Sequence, residues 1–506
     1  MDELKKQFKQ DFEDSSNVEL NFDVTQLETN IKKAKHKIKP YKLGKHKIKP
    51  YKLGLIITAS VIVAIVAVPA SVIIISSLRV KESVKTNNRR YSLNEIRIAE
   101  SNTFKKLNTV SYPNGDKPFE TRLTEKEAKA YNNFSNLTYH SLVDTSKKDN
   151  MSYSVVGLYS VINEMTNATS REELKEKFNT LLGLNESSRV AFYDKVMKAN
   201  SFASDESTIQ LKNSAFFNRE FNYNQEFVNN LTKLYCEAYQ INFESEASKM
   251  VEWVNQAVNS NGFIDDKFLE MNDETQLYLF STLYFKNAWK EKYLSDNNIK
   301  DDFYLSSDKT VKATYMNHSY LSQSYYDYGS YISVKDYYSK GRASVTYLVP
   351  KKVEDNIFDL TKDVNIFEEK DENIVKNEGY GYIMVNLSTP KFTTKSDVDF
   401  QKCLDNLGFG DIYNPNIDSF KNAFDDVRLE DYNIYIQKIK QKNEVEFNED
   451  GSIVKSVTMA SYGGGATAPM KNDILDVKLN QPFIYIIRDI NGTPIFVGHV
   501  DNPTIQ

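Results

Sequence analysis

Chemistry would most readily be carried by the five histidines, His36, His46, His140, His318 and His499. Two of them sit in a basic repeat near the N-terminus, and the other three are scattered with no Cys or carboxylate at ligand spacing. Neither a metal centre nor a His-centred acid–base pair is read from them. His-Glu-x-x-His and Gly-x-Ser-x-Gly do not occur, and the glycines at 463–465 lack the Lys-Ser/Thr of a phosphate loop. The two cysteines, Cys236 and Cys403, lie in amphipathic sequence and are expected to be buried free thiols. No catalytic residue, cofactor or metal is therefore assigned.

The stretch that stands out is Glu446–Pro482, EFNEDGSIVKSVTMASYGGGATAPMKNDILDVKLNQP. It begins as charged strand, turns at Gly451 and runs through small residues to three glycines, which are costly to order. That describes an exposed loop. Yet Ser452, Val454, Ser456, Thr458, Ala460 and Tyr462 are all uncharged, and Lys455 falls on the opposite face. A period of two with one buriable face describes a strand. The segment reads as a loop able to become a strand.

The elements that must position it come from 506 residues, 40% hydrophobic and 12% aromatic, enough for one large domain with appendages. A net charge of -5 over 64 basic and 69 acidic residues argues against nucleic acid as a partner. The charge is unevenly placed. Residues 1–54 hold 13 Lys against 8 Asp or Glu, so they are basic while the remainder is acidic. Residues 1–30 read as disordered, and KHKIKPYKLG then occurs twice in tandem, Lys35–Gly44 and Lys45–Gly54. Two copies do not make a solenoid. Their basic character and position fit contact with anionic lipid heads.

Leu55–Leu78 is 24 residues without a charge, long enough to cross a hydrocarbon core of roughly 30 Å. It is read as an uncleaved signal-anchor. Ten Lys between Lys32 and Lys52 place the N-terminus in the cytoplasm and everything after Arg79 outside the cell. Residues 79–122 read as an extracellular stalk. From Leu123 onward helical spacing leads, with a capping-box-like Ser170-Arg-Glu-Glu before Glu172–Leu182. Leu277–Tyr284, Ser344–Val349, Tyr382–Leu387, Asn433–Ile439 and the closing FIYIIRD and PIFVGHV read as strands, the last two joined by an Asn-Gly hairpin turn. Helices early and strands late make Leu123–Gln506 an α+β domain.

Several of these segments together resemble one family. Phe496-Val-Gly-His-Val-Asp-Asn-Pro503 after Pro482-Phe483 is similar to the closing signature of serpins, the loop-inserting protease inhibitors. Thr275–Trp289 resembles the family's strand ending in Tyr-Phe-Lys and Trp, Val445–Gly451 its strand and hinge before the reactive loop, and Leu404 through Gly408 to Asp411 its Leu-Gly-Asp segment. Trp253, Gly262 and Ile264 fit a weaker helical motif. The matches keep the family's order across residues 123–506.

The resemblance implies three β-sheets with about eight or nine helices and an exposed reactive loop, here preceded by one transmembrane helix. It implies that a protease cuts the loop, is held as an acyl-enzyme, and is carried away as the loop enters the main sheet. By position, Glu449, Gly451, Ser452, Val454, Ser456 and Thr458 are hinge residues. Counting forward from the hinge puts the cleaved bond at Gly465-Ala466; counting back from Pro482 gives Ala468, Met470 or Lys471. Small residues at the bond imply an elastase-like or subtilisin-like target of the serine class, with a cysteine protease as a further option, and Lys471 a trypsin-like one. Val454-Lys455-Ser456-Val457 stands where the family has alanines, Ser281 where it has Asn, and Gln441 where it often has His. The expected protein is a monomeric, membrane-tethered, extracellular inhibitor, with Lys, Asn and Ile richness pointing to a bacterial genome. A non-inhibitory serpin-fold binding or adhesion module is the alternative, and an enzyme the third reading.

Overall fold

The structure, a computed structural model, describes residues 96–99, 101, 103–113, 121–143, 149–272, 274–322, 324–375, 383–426, 432–452 and 474–505. Among the described residues, nine α-helices and three sheets carry the α+β architecture expected from the sequence. The helices are α1 (Glu125–Leu142), α2 (Val155–Ala168), α3 (Glu172–Leu182), α4 (Glu186–Ala199), α5 (Gln225–Lys233), α6 (Phe243–Ala257), α7 (Asp266–Leu269), α8 (Ile357–Thr361) and α9 (Gln401–Asn406).

The main sheet runs in the order β1 (Lys105–Lys106), β5 (Cys236–Ile241), β4 (Ser207–Asn218), β6 (Leu277–Asn287), β15 (Gly451–Ser452), β14 (Lys440–Asn448) and β13 (Phe392–Asp399), with β3 (Ser201–Ala203) paired to β4. A second sheet orders β2 (Met151–Ser154), β18 (Pro494–Val500), β17 (Phe483–Asp489), β11 (Ala343–Pro350), β10 (Tyr331–Tyr337) and β9 (Tyr325–Asp327). The third is β16 (Ile474–Lys478), β12 (Ile383–Pro390), β8 (Lys309–Ser322) and β7 (Ile299–Ser306).

Helix α2 is buried along almost its whole length and packs on both β6 and β18, so it fills the space between the first two sheets. Such all-round burial requires its apolar run, and Ser154 starts it by accepting from the Gly157 N–H at 3.1 Å. On β6, Phe285 and its odd-numbered neighbours join this core while Tyr278 and Phe280 pack toward α6. Burial on both faces is why LYLFSTLYF shows no polar alternation.

Three readings of the sequence change. Asn433–Ile439 is not a strand: its chain is irregular, with Ile434 and Ile439 buried, and β14 begins only at Lys440. The cap of α3 is Arg171 with no side-chain bond, whereas the reciprocal capping box is Thr124 with Glu127 at the start of α1. The segment read as a stalk, 79–122, is described from Ile96, and within it β1 pairs with β5, so the folded part begins upstream of Leu123. Cys236 and Cys403 are free and buried, as expected. No helix among the described residues is long and apolar enough to cross a membrane, and Leu55–Leu78 lies outside them.

His499 on β18 is buried, with Nε2 3.0 Å from the Asp149 carbonyl and its ring edge-on to Phe358. Burial pushes its imidazole down to about 4. An unfolded chain takes that proton near ~6.5, so as pH falls from there to 4 the unfolded state binds a proton that the folded state refuses. Stability present at neutral pH is therefore lost across this window, by on the order of 3 kcal/mol. Melting temperature should drop between pH 7 and 4, and His499→Gln should flatten the drop. Equal slopes in the two proteins would exclude His499 as its source.

Candidate functional site

The hinge is built where β14 turns back as β15. Asn448 pairs with Gly451 and Phe447 with Ser452, while Ser452 also faces Asn287 of β6. Gly451 has φ +138°, and a Cβ there would overlap the Asn287 carbonyl oxygen and lie 2.8 Å from Ala288 Cα. Only glycine lets the chain return this close to β6. Ser452 is fully buried, and its hydroxyl is 2.7 Å from that of Tyr338. The Tyr338 ring is stacked on Trp289 at 4.7 Å, and the Trp289 indole N–H donates to the Asn448 carbonyl at 2.8 Å.

One carboxylate fixes this turn from the outside. Glu449 accepts from Lys391 at 2.9–3.0 Å and from Asn298 at 2.5 Å. Burial alone would raise its pKa, but the Lys391 and Asn298 hydrogen bonds outweigh it and hold the carboxyl below the usual glutamate range. Lys391 comes from the link between β12 and β13, and Asn298 from the residue preceding β7, so the hinge is pinned to the third sheet.

Below Ser452 a cleft opens between β6 and β14. Each is fully paired on its far side, β6 with β4 and β14 with β13, but toward each other their main-chain edges meet no strand among the described residues. The cavity measures about 1160 Å³. Its floor is α2, through Gly157, Leu158, Val161 and Met165, and its lower end is walled by Val254, Phe263 and Phe268 around α6 and α7. An uncharged floor and two open strand edges form an acceptor for an added strand.

Gln441 ties the β14 side of the cleft to its floor. Its amide accepts from the Ser154 N–H at 2.9 Å and donates to the Ser154 carbonyl at 3.0 Å, imitating a strand pair between β14 and the start of α2. Ser281 of β6, opposite Asn213 of β4, has a buried hydroxyl without a hydrogen bond among the described residues. Of the residues read from sequence, Glu449, Gly451 and Ser452 meet at the hinge. Val454, Ser456, Thr458, Gly465, Ala466, Ala468, Met470 and Lys471 lie outside the described residues. Sequence reasoning missed Asn298, Lys391 and Tyr338, which come from distant segments and form no local pattern. Among the described residues no cluster of His, Cys, Asp or Glu is arranged to hold a metal.

Residues 129–503 match the family described as "Serpin (serine protease inhibitor)". Serpin-Z4 of Hordeum vulgare is 29% identical over 241 residues, which span 47% of this chain and 58% of that protein. The leukocyte elastase inhibitor of Homo sapiens is 26% identical over 309 residues, 58% of this chain and 78% of that protein. The crystal structure of a thermophilic serpin, tengpin, in its native state aligns with a TM-score of 0.63 at 21% identity, covering 75% of this chain and 95% of that one, a likeness of fold.

Gly451→Ala should break the hinge, costing more than about 3 kcal/mol because the new Cβ must displace β6 main chain. Lys391→Ala, which removes a half-exposed partner, should cost under about 1 kcal/mol. Thermal melts of the two variants check the order; an alanine tolerated at 451 would refute the close approach.

Proposed function

The chain belongs to the serpin family, and we propose from that premise that it inhibits serine proteases by letting its cleaved loop enter the cleft between β6 and β14. The observation that carries this is the register at Ser452. The short strand β15 is antiparallel to both neighbours, and each residue added after Ser452 would step one residue back along β6. Tyr462 would then stand opposite Leu277, so the eleven residues Ser452–Tyr462, with Lys455 their one charge, match the eleven residues of β6. Ser452 already points inward, so Val454, Ser456, Thr458, Ala460 and Tyr462 would follow it toward the apolar floor, with Lys455 on the outer face. A charge on the inner face would oppose entry; none is present.

Gly465-Ala466 is the preferred cleaved bond, because it leaves enough chain after the hinge to fill β6 from end to end. Its small residues favour an elastase-like enzyme, and a relative is named for inhibiting leukocyte elastase. Leu55–Leu78 serves as a membrane anchor with the inhibitor outside the cell, supported by its uncharged length and the lysines before it. The protein acts as a monomer and binds no nucleic acid.

The full chain in detergent, mixed with an elastase-like and separately with a trypsin-like serine protease, should give a complex that survives denaturing electrophoresis with the first. The released fragment mass should place the cut after Gly465. Cleaved chain should also melt well above intact chain, because entry completes both strand edges. Cleavage with free active protease and no rise in melting would sink the proposal.

A further inference from the structure

The outer edge of the main sheet is occupied by the chain's own N-terminal segment. Lys105 and Lys106 pair antiparallel with Gln240 and Tyr239 of β5. Leu107 N–H donates to the Ala238 carbonyl at 2.8 Å, and the Asn108 amide both accepts from the Ala238 N–H at 2.8 Å and donates to the Cys236 carbonyl at 2.9 Å. Upstream, the segment runs the length of α6. The Arg97 main chain exchanges two hydrogen bonds with the Gln256 amide at 2.8 and 3.0 Å, Lys249 donates to the Ala99 carbonyl, and Ser101 donates to Glu246 at 2.5 Å.

Two features make this a built site. Phe104 is buried, with Ile96 and Ile98 packed beside it, in a separate core of Phe216, Tyr239, Met250 and Trp253 between α6 and the sheet. At its centre Glu237 of β5 accepts from Lys106 at 2.8 Å, Tyr239 at 2.8 Å and Trp253 at 3.0 Å, joining segment, strand and helix in one carboxylate. Burial would raise the Glu237 pKa, and Lys106, Trp253 and Tyr239 together hold it below the usual range. The same α6 contributes Val254 to the wall of the cleft, and the chain leaving it contributes Val258, Asn259 and Phe263. A strand that fills β6 as far as Leu277 must move that end.

We propose that the β5 edge and the flank of α6 form a docking site for an extended peptide, that residues 96–112 of this chain are its occupant, and that while docked they hold α6 down and set how fast a strand enters the cleft. The entry half of this inference rests on the function proposed above; the grip on α6 does not. A released segment removes three apolar side chains from the core beneath α6 and the Lys106 cation from Glu237 without touching the hinge.

The test uses the full chain and its Lys106→Ala/Asn108→Ala variant, which loosens the segment without substituting any residue of β5, α6 or the hinge. Hydrogen exchange of the amides at 243–257 should quicken about tenfold or more in the variant, since local opening sets that rate. The cleaved variant should gain heat resistance faster by a similar factor. A synthetic peptide of residues 95–113 added in trans should reverse both effects. Unchanged exchange in α6, or a peptide that restores neither quantity, overturns the proposal. If exchange responds and is restored while cleaved wild-type chain never gains heat resistance, the strand-entry reading falls and takes the entry half with it.

Discussion

The lack of a main-chain hydrogen-bond ladder between β6 and β14 below Ser452 is the constraint on which the remaining architecture depends. Each strand is satisfied on one side by a full ladder and open on the other, so the sheet is short of one strand below Ser452. Water can satisfy those groups, but a strand antiparallel to both neighbours would do so while also burying apolar surface over α2. A loop able to supply that strand begins two residues past Glu449. On the function proposed above the chain would gain free energy by passing from loop to strand, and the contacts around the turn and the cleft would hold it short of that end.

At the hinge the restraint is steric and electrostatic together. Gly451 permits a turn that leaves Ser452 already paired to β6, so on the proposed function entry would need only to propagate. The turn is anchored from three directions, by the Tyr338 hydroxyl, by the Trp289 indole and by Lys391 with Asn298 on Glu449, contacts that on this proposal would delay propagation. Only the Lys391–Glu449 contact has a half-exposed partner and is weak for that reason, while the Tyr338 and Trp289 bonds are buried and neutral and leave no charge unpaired when they break. In the middle of the cleft, Gln441 replaces a strand pair with a single amide against Ser154, a bond that can break without leaving a charge unpaired.

At the far end the cleft is closed by packing. Helix α6 sits on a small core of its own, and that core is completed by Phe104, Ile96 and Ile98 from a segment nearly 140 residues earlier in the chain. The β14–β15 turn and the core that the N-terminal segment completes thus lie at opposite ends of the same gap, the points where, on the proposals above, an entering strand would start and finish.

How much of this was legible in the sequence follows from the range of the forces involved. The alternation after Gly451, the two-sided apolar run of β6 and the closing hairpin are local patterns, because the pleat and the burial of each face act on successive residues. The closing signature and the Tyr-Phe-Lys-Asn-Ala-Trp segment likewise carried the family, and with it the α+β fold. What the sequence could not show was which partners Glu449, Gly451 and Ser452 meet. Lys391 and Asn298 reach Glu449 only after three sheets are assembled, and Asn433–Ile439, strand-like in composition, finds no strand to pair with and stays irregular. Polar residues 96–113 read as a stalk because Lys105, Lys106 and Asn108 look solvated until the β5 edge and Glu237 are beside them. Pattern determined which segments could become strands and helices; the tertiary structure decided which edges were left open and what guards them, because an unpaired edge is a property of neighbours and not of the strand itself.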